Sequence, residues 1–460
     1  MIQKAHRHNS SFRDPSGFMF ELEGTLYRQV NRCFQKEFDH FISSGCYAHY
    51  ISQHKMVAHQ EQNVNLTGDK EWYKTIVPEK IPFISYPWEW SFQMLKDAAL
   101  LTLELQETSL NYGLSLKDAT PFNIQFHQGQ PIWIDTLSFE FYDEKKPWVA
   151  YRQFCEQFLS PLAIMHYGKN AMQPLSLAYP EGIPLNIAAS LLPLRSKFSL
   201  HCYLHIHLNA RIARKAGIQK DKGIAFSKKK MQNLLRSLRL LVEGLHLKET
   251  DSNWSAYYKE ASQRNNYLTD KKKIVSEWIG QISPDIHNAS DLGANDGEFS
   301  RIFAAKGIDC LAADLDPNCI DRLYRNIKKE NIKQIHPLIQ DLSNPTPSIG
   351  VNNEERDAFI LRAKRDAVLA LALIHHLAIG KNIPMENIAM LFAKLCNKYL
   401  ILEFVPEEDE RSAFMIQQKS NEISGYDQRS FEAGFSPYFS IFATAKIQDS
   451  ERILYLFRRK

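Results

Sequence analysis

Through the last third of the chain, short unbroken apolar runs alternate with stretches whose apolar residues recur every three or four positions. That is the rhythm of strand–helix–strand units. Cys310–Ala313 is a run of the first kind, as is Tyr399–Phe404 but for Glu403, and Ala367–Leu373 is long enough to suit a parallel strand covered on both faces. A further strand is expected to end at Asp291-Leu292 and another to span about Gln334–Gln340. A last pair, around Ser440–Lys446 and Arg452–Arg458, reads as a closing hairpin. Phe299, Ile302 and Phe303 share one side of a helix that Gly307 should stop, and a second helix is expected near Met385–Cys396. These elements predict an α/β domain over residues 283–460 with seven strands.

Upstream the texture changes twice. Residues 201–282 read as a helical connector: Leu234, Leu238, Leu241 and Leu245 lie on one face, and Ile274, Trp278 and Ile282 on that of a later helix. Residues 1–200 are rich in aromatics and mix helix with hairpins, an α+β domain. The clearest pair is Ile124–His127 with Pro131–Ile134, turning at Gln128-Gly129-Gln130, and a second is expected within Gly17–Val30.

A length of 460 residues accommodates these three regions. Nineteen Gly and twenty Pro exclude a collagenous or Pro/Gly-rich disordered chain. The balance of 56 Lys and Arg against 52 Asp and Glu gives a net charge of +4, too little to announce a nucleic-acid protein, and no RNA-recognition module is evident. Ten Lys or Arg with a single acid, Asp221, crowd Arg211–Arg239; this reads as a solvated helix face, with an anionic substrate or RNA backbone as the competing reading. Seven scattered cysteines without a CxxC pair suit a reducing compartment. The polar first residues and the absence of about 18 uninterrupted apolar residues lead us to expect a cytoplasmic protein with no membrane partner. His201, Cys202, His205 and His207 alternate with Leu204, Ile206 and Leu208 and lack a second ligand pair, so a structural role and no metal site are expected.

The richest segment is Asp291-Leu292-Gly293-Ala294-Asn295-Asp296-Gly297: a strand, a glycine-punctuated turn, then a helix. Glycines there let backbone N–H groups and a helix amino terminus approach a ligand closely. Asp314 ends the next strand twenty-three positions after Asp291, near the spacing of about 20 that brings a carboxylate to ribose hydroxyls in this kind of fold. A dinucleotide dehydrogenase would want Gly-x-Gly-x-x-Gly, but Asn295 and Glu298 stand where its second and third glycines belong.

This pattern resembles motif I of class I S-adenosylmethionine-dependent methyltransferases, in a relaxed DxGxNxG form. The likeness continues through Asp314-Leu315, Asp341-Leu342, Ile374-His375-His376-Leu377 and the strand ending at Glu403. More narrowly, DLGANDG, LALIHHL, LILEFVP and the block from Ser85 to Phe154 resemble long bacterial proteins related to rhizobial nodulation proteins. The resemblance implies a Rossmann-like seven-stranded domain, S-adenosylmethionine as cofactor and a small-molecule methyl acceptor. It implies that Asp291 serves the methionine ammonium, that Gly293, Ala294, Asn295 and Gly297 form the turn, that Asp314 with Leu315 meets the ribose and that Asp341 with Leu342 meets the adenine. On the acceptor side, His375 and His376 are candidate bases and Glu403 a candidate orienting group, against the reading that the histidines pack near the cofactor. Tyr267, with Trp254, Tyr257 and Tyr258, is a candidate aromatic lid, against ordinary helix packing.

In the amino-terminal region Asp118, Asn123 and Asp135 follow the order of the catalytic loop and metal-binding acid of kinase-like phosphotransferases. Leu116 replaces the loop histidine, Thr136-Leu137 replaces Phe-Gly, and no glycine-rich phosphate loop precedes them; Arg28 is the strong cation of the early hairpin. Three readings stay open: a degenerate kinase-like scaffold that helps bind substrate, an unrelated fold, and an active phosphotransferase using ATP and magnesium. The functions that follow are a methyltransferase, a bifunctional enzyme, or a cofactor-binding assembly protein without turnover.

Overall fold

The amino-terminal sheet grows from a hairpin. Strands β2 (Gly17–Leu22) and β3 (Thr25–Asn31) are joined by Glu23-Gly24, both at positive φ, the two-residue turn that matches strand twist. With β1 (His6–Arg7), β4 (His59–Gln62) and β5 (Trp72–Pro78) they form an antiparallel sheet ordered β1-β2-β3-β5-β4. Next come β6 (Leu114–Leu116), β7 (Ile124–His127), β8 (Gln130–Trp133) and β9 (Phe139–Phe141), pairing β6 with β9 and β7 with β8. The β7–β8 turn is Gln128-Gly129, one residue tighter than expected, because both residues take the positive φ that a two-residue turn needs. The helix Phe92–Ser109, capped by Ser91, is buried around most of its circumference.

The computed structural model describes residues 6–168, 172–215, 226–247, 266–419 and 425–460. Trp254, Tyr257 and Tyr258 of the expected lid, and residues 216–225 of the basic run, lie outside the described residues. The chain forms two compact units: Met1–Lys248 with Ile349–Arg356, and Glu249–Ser348 with Asp357–Lys460. The region read as a connector is divided between them. Its Lys228–Gly244 helix packs on Phe92–Ser109 in the first unit, where Arg239 pairs with Glu107 at 2.7 Å, and Tyr267–Ile282 belongs to the second. No helix among the described residues is long and apolar enough to cross a membrane.

The second unit holds β10 (Asn288–Leu292), β11 (Asp309–Asp314), β12 (Ile335–Ile339), β13 (Arg365–Ala370), β14 (Cys396–Phe404), β15 (Phe439–Lys446) and β16 (Ile453–Arg459) in one seven-stranded sheet. Its order is β12-β11-β10-β13-β14-β16-β15, with β10 to β14 parallel and β16 antiparallel to both neighbours. On one face Val275 and Ile279 of Tyr267–Ile282 pack with Phe303, Leu369 and Ile401; on the other Ile320, Leu323 and Ile327 of Pro317–Glu330 cover Ala312 and Ile335. Because β10 is flanked by both β11 and β13, strand order reverses there, and a crevice opens beyond the carboxyl ends of these strands. β13 stops at Ala370, short of the expected Leu373. Ala372 turns to φ +49°, and Leu371-Ala372-Leu373 leave the sheet to line that crevice.

Candidate functional site

After β10 the chain turns through Gly293 (φ +82°), Asn295 (+50°) and Gly297 (+76°). The N–H groups of Gly293 and Ala294 donate to Ala313 O at 2.8 and 3.1 Å, tying the turn to the end of β11. Asn tolerates the left-handed region better than most side chains. At Gly297 space also matters: a Cβ would come within 2.5 Å of Leu323 Cδ1. The adjoining carboxylates are held by short polar contacts. Asp291 Oδ2 accepts from Ser300 Oγ (2.6 Å), while Asp314 accepts from the N–H groups of Asn295 (2.7 Å) and Asp316 (2.8 Å). Asp341 Oδ1, just past β12, accepts from Ser343 N–H (2.8 Å) and Oγ (2.6 Å).

These groups meet at a cavity of about 140 Å³. Asp291, Gly293, Ala294, Asn295, Asp314, Leu315, Asp341 and Leu342 all line it, facing Phe299, Leu371, Leu373, His376 and Leu377. Gly297 shapes the turn from outside the lining. Burial pushes the Asp291 carboxyl up to about 6, against the Ser300 hydrogen bond and with added repulsion from Asp314. Burial likewise lifts Asp314 to about 6, with the N–H groups of Asp316 and Asn295 pulling the other way. Two carboxylates held this high gain from any ligand that brings a positive charge or hydrogen-bond donors.

Three expected site residues take other positions. Tyr267 is only 2% exposed and lies outside the lining; its hydroxyl donates to Glu403 Oε1 (2.8 Å) and accepts from Arg452 Nη1 (2.9 Å). For Tyr267 the lid reading therefore gives way to helix packing, since the hydroxyl serves buried charges. Glu403 is fully buried and also away from the lining. Burial alone would raise its carboxyl, but Lys271 and Arg452 overcome this and hold it at about 2. It anchors two cations, Lys271 and Arg452, inside the protein. His375 is buried behind the lining, and neither ring nitrogen has a hydrogen-bond partner among the described residues. Burial first, then His376 and Arg452, holds its pKa well below the usual imidazole value. His376 does line the cavity, at the start of a π-type turn over His376–Gly380; burial, Arg411 and Arg452 bring it down to about 4.

Lys271 is the group that sequence reasoning missed. It is 2% exposed, lines the cavity and reaches Glu403 Oε2 at 2.5 Å. In the sequence it opens the run Lys271-Lys272-Lys273, which reads as solvent-facing, and its partner lies 132 positions away. The one local sign is Tyr267, a helical turn earlier on the same face.

In the first unit the structure brings the three kinase-like positions together, Asn123 and Asp135 meeting at Ser138 and Asp118 lying beside both. Asp118 accepts from Gln153 Nε2 (2.6 Å), Asn123 Nδ2 donates to Ser138 Oγ (3.1 Å), and Asp135 pairs with Arg28 of β3 at 2.5 Å. Burial and the neighbouring Asp135 raise the Asp118 carboxyl. Burial would also raise Asp135, but Arg28 and Ser138 outweigh it, leaving that carboxyl below its ordinary value. His201 and His205 bond Ser237, and His207 bonds Ser196. Among the described residues no group of three His, Cys, Asp or Glu is arranged to hold a metal.

The reversed strand order, the antiparallel pair β15–β16 and the glycine turn with acids at successive strand ends define a methyltransferase-like fold of class I. No family model matches the chain. It is 31% identical over 460 residues to nodulation protein NoeA of Rhizobium meliloti (strain 1021), covering 98% of this chain and 95% of that protein. The chain belongs to the NoeA family. Among solved structures, magnesium protoporphyrin IX methyltransferase (ChlM) from Synechocystis, with bound SAH, matches 46% of this chain and 90% of its own at 15% identity and a TM-score of 0.31. The N-methyltransferase NodS from Bradyrhizobium japonicum, also with SAH, matches 42% and 88% at 12% identity and a TM-score of 0.31.

Proposed function

We propose that the second unit binds S-adenosylmethionine and methylates a small-molecule acceptor. One observation carries this reading: Asp291, Asp314 and Asp341, far apart in sequence, line one cavity together with a turn of positive-φ residues. The residues fit the group. Asp291 would face the ammonium, and Lys271, held by Glu403 at 2.5 Å, would face the carboxylate at the same end. Asp314 would take the ribose hydroxyls, and Asp341 with Leu342 the adenine. When bound, the sulfonium supplies an activated methyl carbon, so the protein's task is chiefly alignment and exclusion of water. Leu371, Leu373 and Leu377 make the wall that excludes it. His376, neutral above about pH 4 and so a weak base, can accept a hydrogen bond from a hydroxyl or amine and orient it for methylation.

Calorimetric titration of the intact chain with S-adenosylmethionine tests the reading. Saturable binding that disappears in Asp314→Ala is expected, and a flat titration for the unmodified chain overturns it. Incubation with labelled methyl donor and cell extract then identifies the acceptor. His376→Ala should slow that labelling while leaving cofactor affinity in place. Binding without labelling of any extracted metabolite would point instead to an assembly role.

A further inference from the structure

The first unit contains a stretch whose polarity is inside out. Between Leu191 and Leu204 the fold leaves Leu194 (74%), Phe198 (89%) and Leu200 (66%) in solvent, together with Leu191 and Leu204, while Ser196, His205 and His207 nearby are buried. The exposure is enforced by hydrogen bonds. Ser196 Oγ meets His207 Nε2 at 2.8 Å, His201 and His205 both reach Ser237 Oγ (2.8 and 2.7 Å), and His205 also meets the Tyr151 hydroxyl (2.8 Å). Leu191, Leu194, Phe198, Leu200 and Leu204, all exposed within one short stretch of chain, call for a partner.

The charge around them says which partner. The helix tied to this segment, Lys228–Gly244, carries five Lys or Arg and one acid, Glu243. Arg195 and Lys197 alternate with Leu194 and Phe198, all exposed. Ser237 ties the segment to the Lys228–Gly244 helix, which exposes Lys229, Lys230 and Arg236. We infer that this face docks on an anionic lipid surface: the apolar side chains enter the headgroup boundary and the cations meet the lipid charges. A second copy would set these cations against one another. Single-stranded RNA would call for stacked aromatic planes, where this patch offers mainly leucines. The absence of a spanning run, from which no membrane partner was expected, has no bearing on peripheral contact.

Flotation of the intact protein with vesicles of phosphatidylcholine, or of phosphatidylcholine mixed with phosphatidylglycerol, tests the inference. Recovery with the mixed vesicles alone is expected, falling as salt is added. Leu194→Glu with Phe198→Glu should abolish it. Lys229→Gln with Arg236→Gln should weaken it roughly fivefold per cation removed. All four positions are exposed, so an unchanged thermal midpoint confirms that the variants fold. Lack of recovery with either vesicle overturns the inference, as does recovery untouched by the Leu194/Phe198 pair. So does retention of a single-stranded RNA in preference to vesicles, or self-association that Phe198→Glu disperses.

Discussion

Asp291 and Asp314 hold protons that ordinary carboxyls give up, and this has two opposite consequences. Both sit at about 6 in the folded chain against an ordinary 3.8. The folded state therefore binds more protons than the unfolded state between those values, and the part of stability due to this pair declines as pH rises from about 4 to 6. Binding of a cationic ligand runs the other way, because the ammonium favours the Asp291 carboxylate. S-adenosylmethionine should bind more tightly as pH rises through about 6, with protons released on binding below that pH; calorimetry in buffers of different ionisation enthalpy reads this directly. Glu403 has the reverse sign. Its carboxyl is held at about 2, so its contribution is present above its ordinary 4.5 and is lost as pH falls toward 2. Glu403→Gln removes the buried carboxylate that pairs with Lys271 and Arg452, Arg452 keeping its pair with Asp409 at 2.8 Å, and urea unfolding should show a loss of about 3–5 kcal/mol.

At the scale of elements, the turn after β10 is the most demanding piece of backbone. Gly293 and Gly297 both lie at positive φ, but an added methyl at Gly293 finds its nearest neighbour at 3.6 Å, whereas at Gly297 it meets Leu323 at 2.5 Å. Gly293→Ala should cost about 1–2 kcal/mol of backbone strain, and Gly297→Ala distinctly more, as compared by thermal unfolding. This turn and the sheet behind it were legible in the sequence because apolar period and turn chemistry are local properties. The Ala367–Leu373 run misled for the same reason: a strand and a cavity wall are equally apolar, and only the left-handed Ala372 separates them. Tyr267 misled differently, since an aromatic at a helix start looks the same whether it covers a ligand or caps a buried ion pair.

Over the whole molecule, the two units carry different kinds of chemistry. The second has a cavity lined by Asp291, Asp314 and Asp341; in the first, the acids of the kinase-like cluster already have protein partners, Asp118 in Gln153 and Asp135 in Arg28. Asp135 is engaged by Arg28, Ser138 and the Leu137 N–H group. Addition of ATP with magnesium should therefore leave the thermal midpoint of the intact chain unchanged, and a rise that Asp135→Ala removes would establish a second ligand site. The sequence by itself determined the α/β order of the second unit, the glycine bend and the three acids at strand ends, because neighbouring residues impose each of these. Only the tertiary structure decided that Lys271 enters the cavity, that Glu403 and Tyr267 stay out of it, that Arg28 neutralises Asp135 and that leucines between 191 and 204 face solvent. Each of those outcomes depends on partners brought together by folding, and a charge or an apolar side chain carries no local mark of the group it will meet.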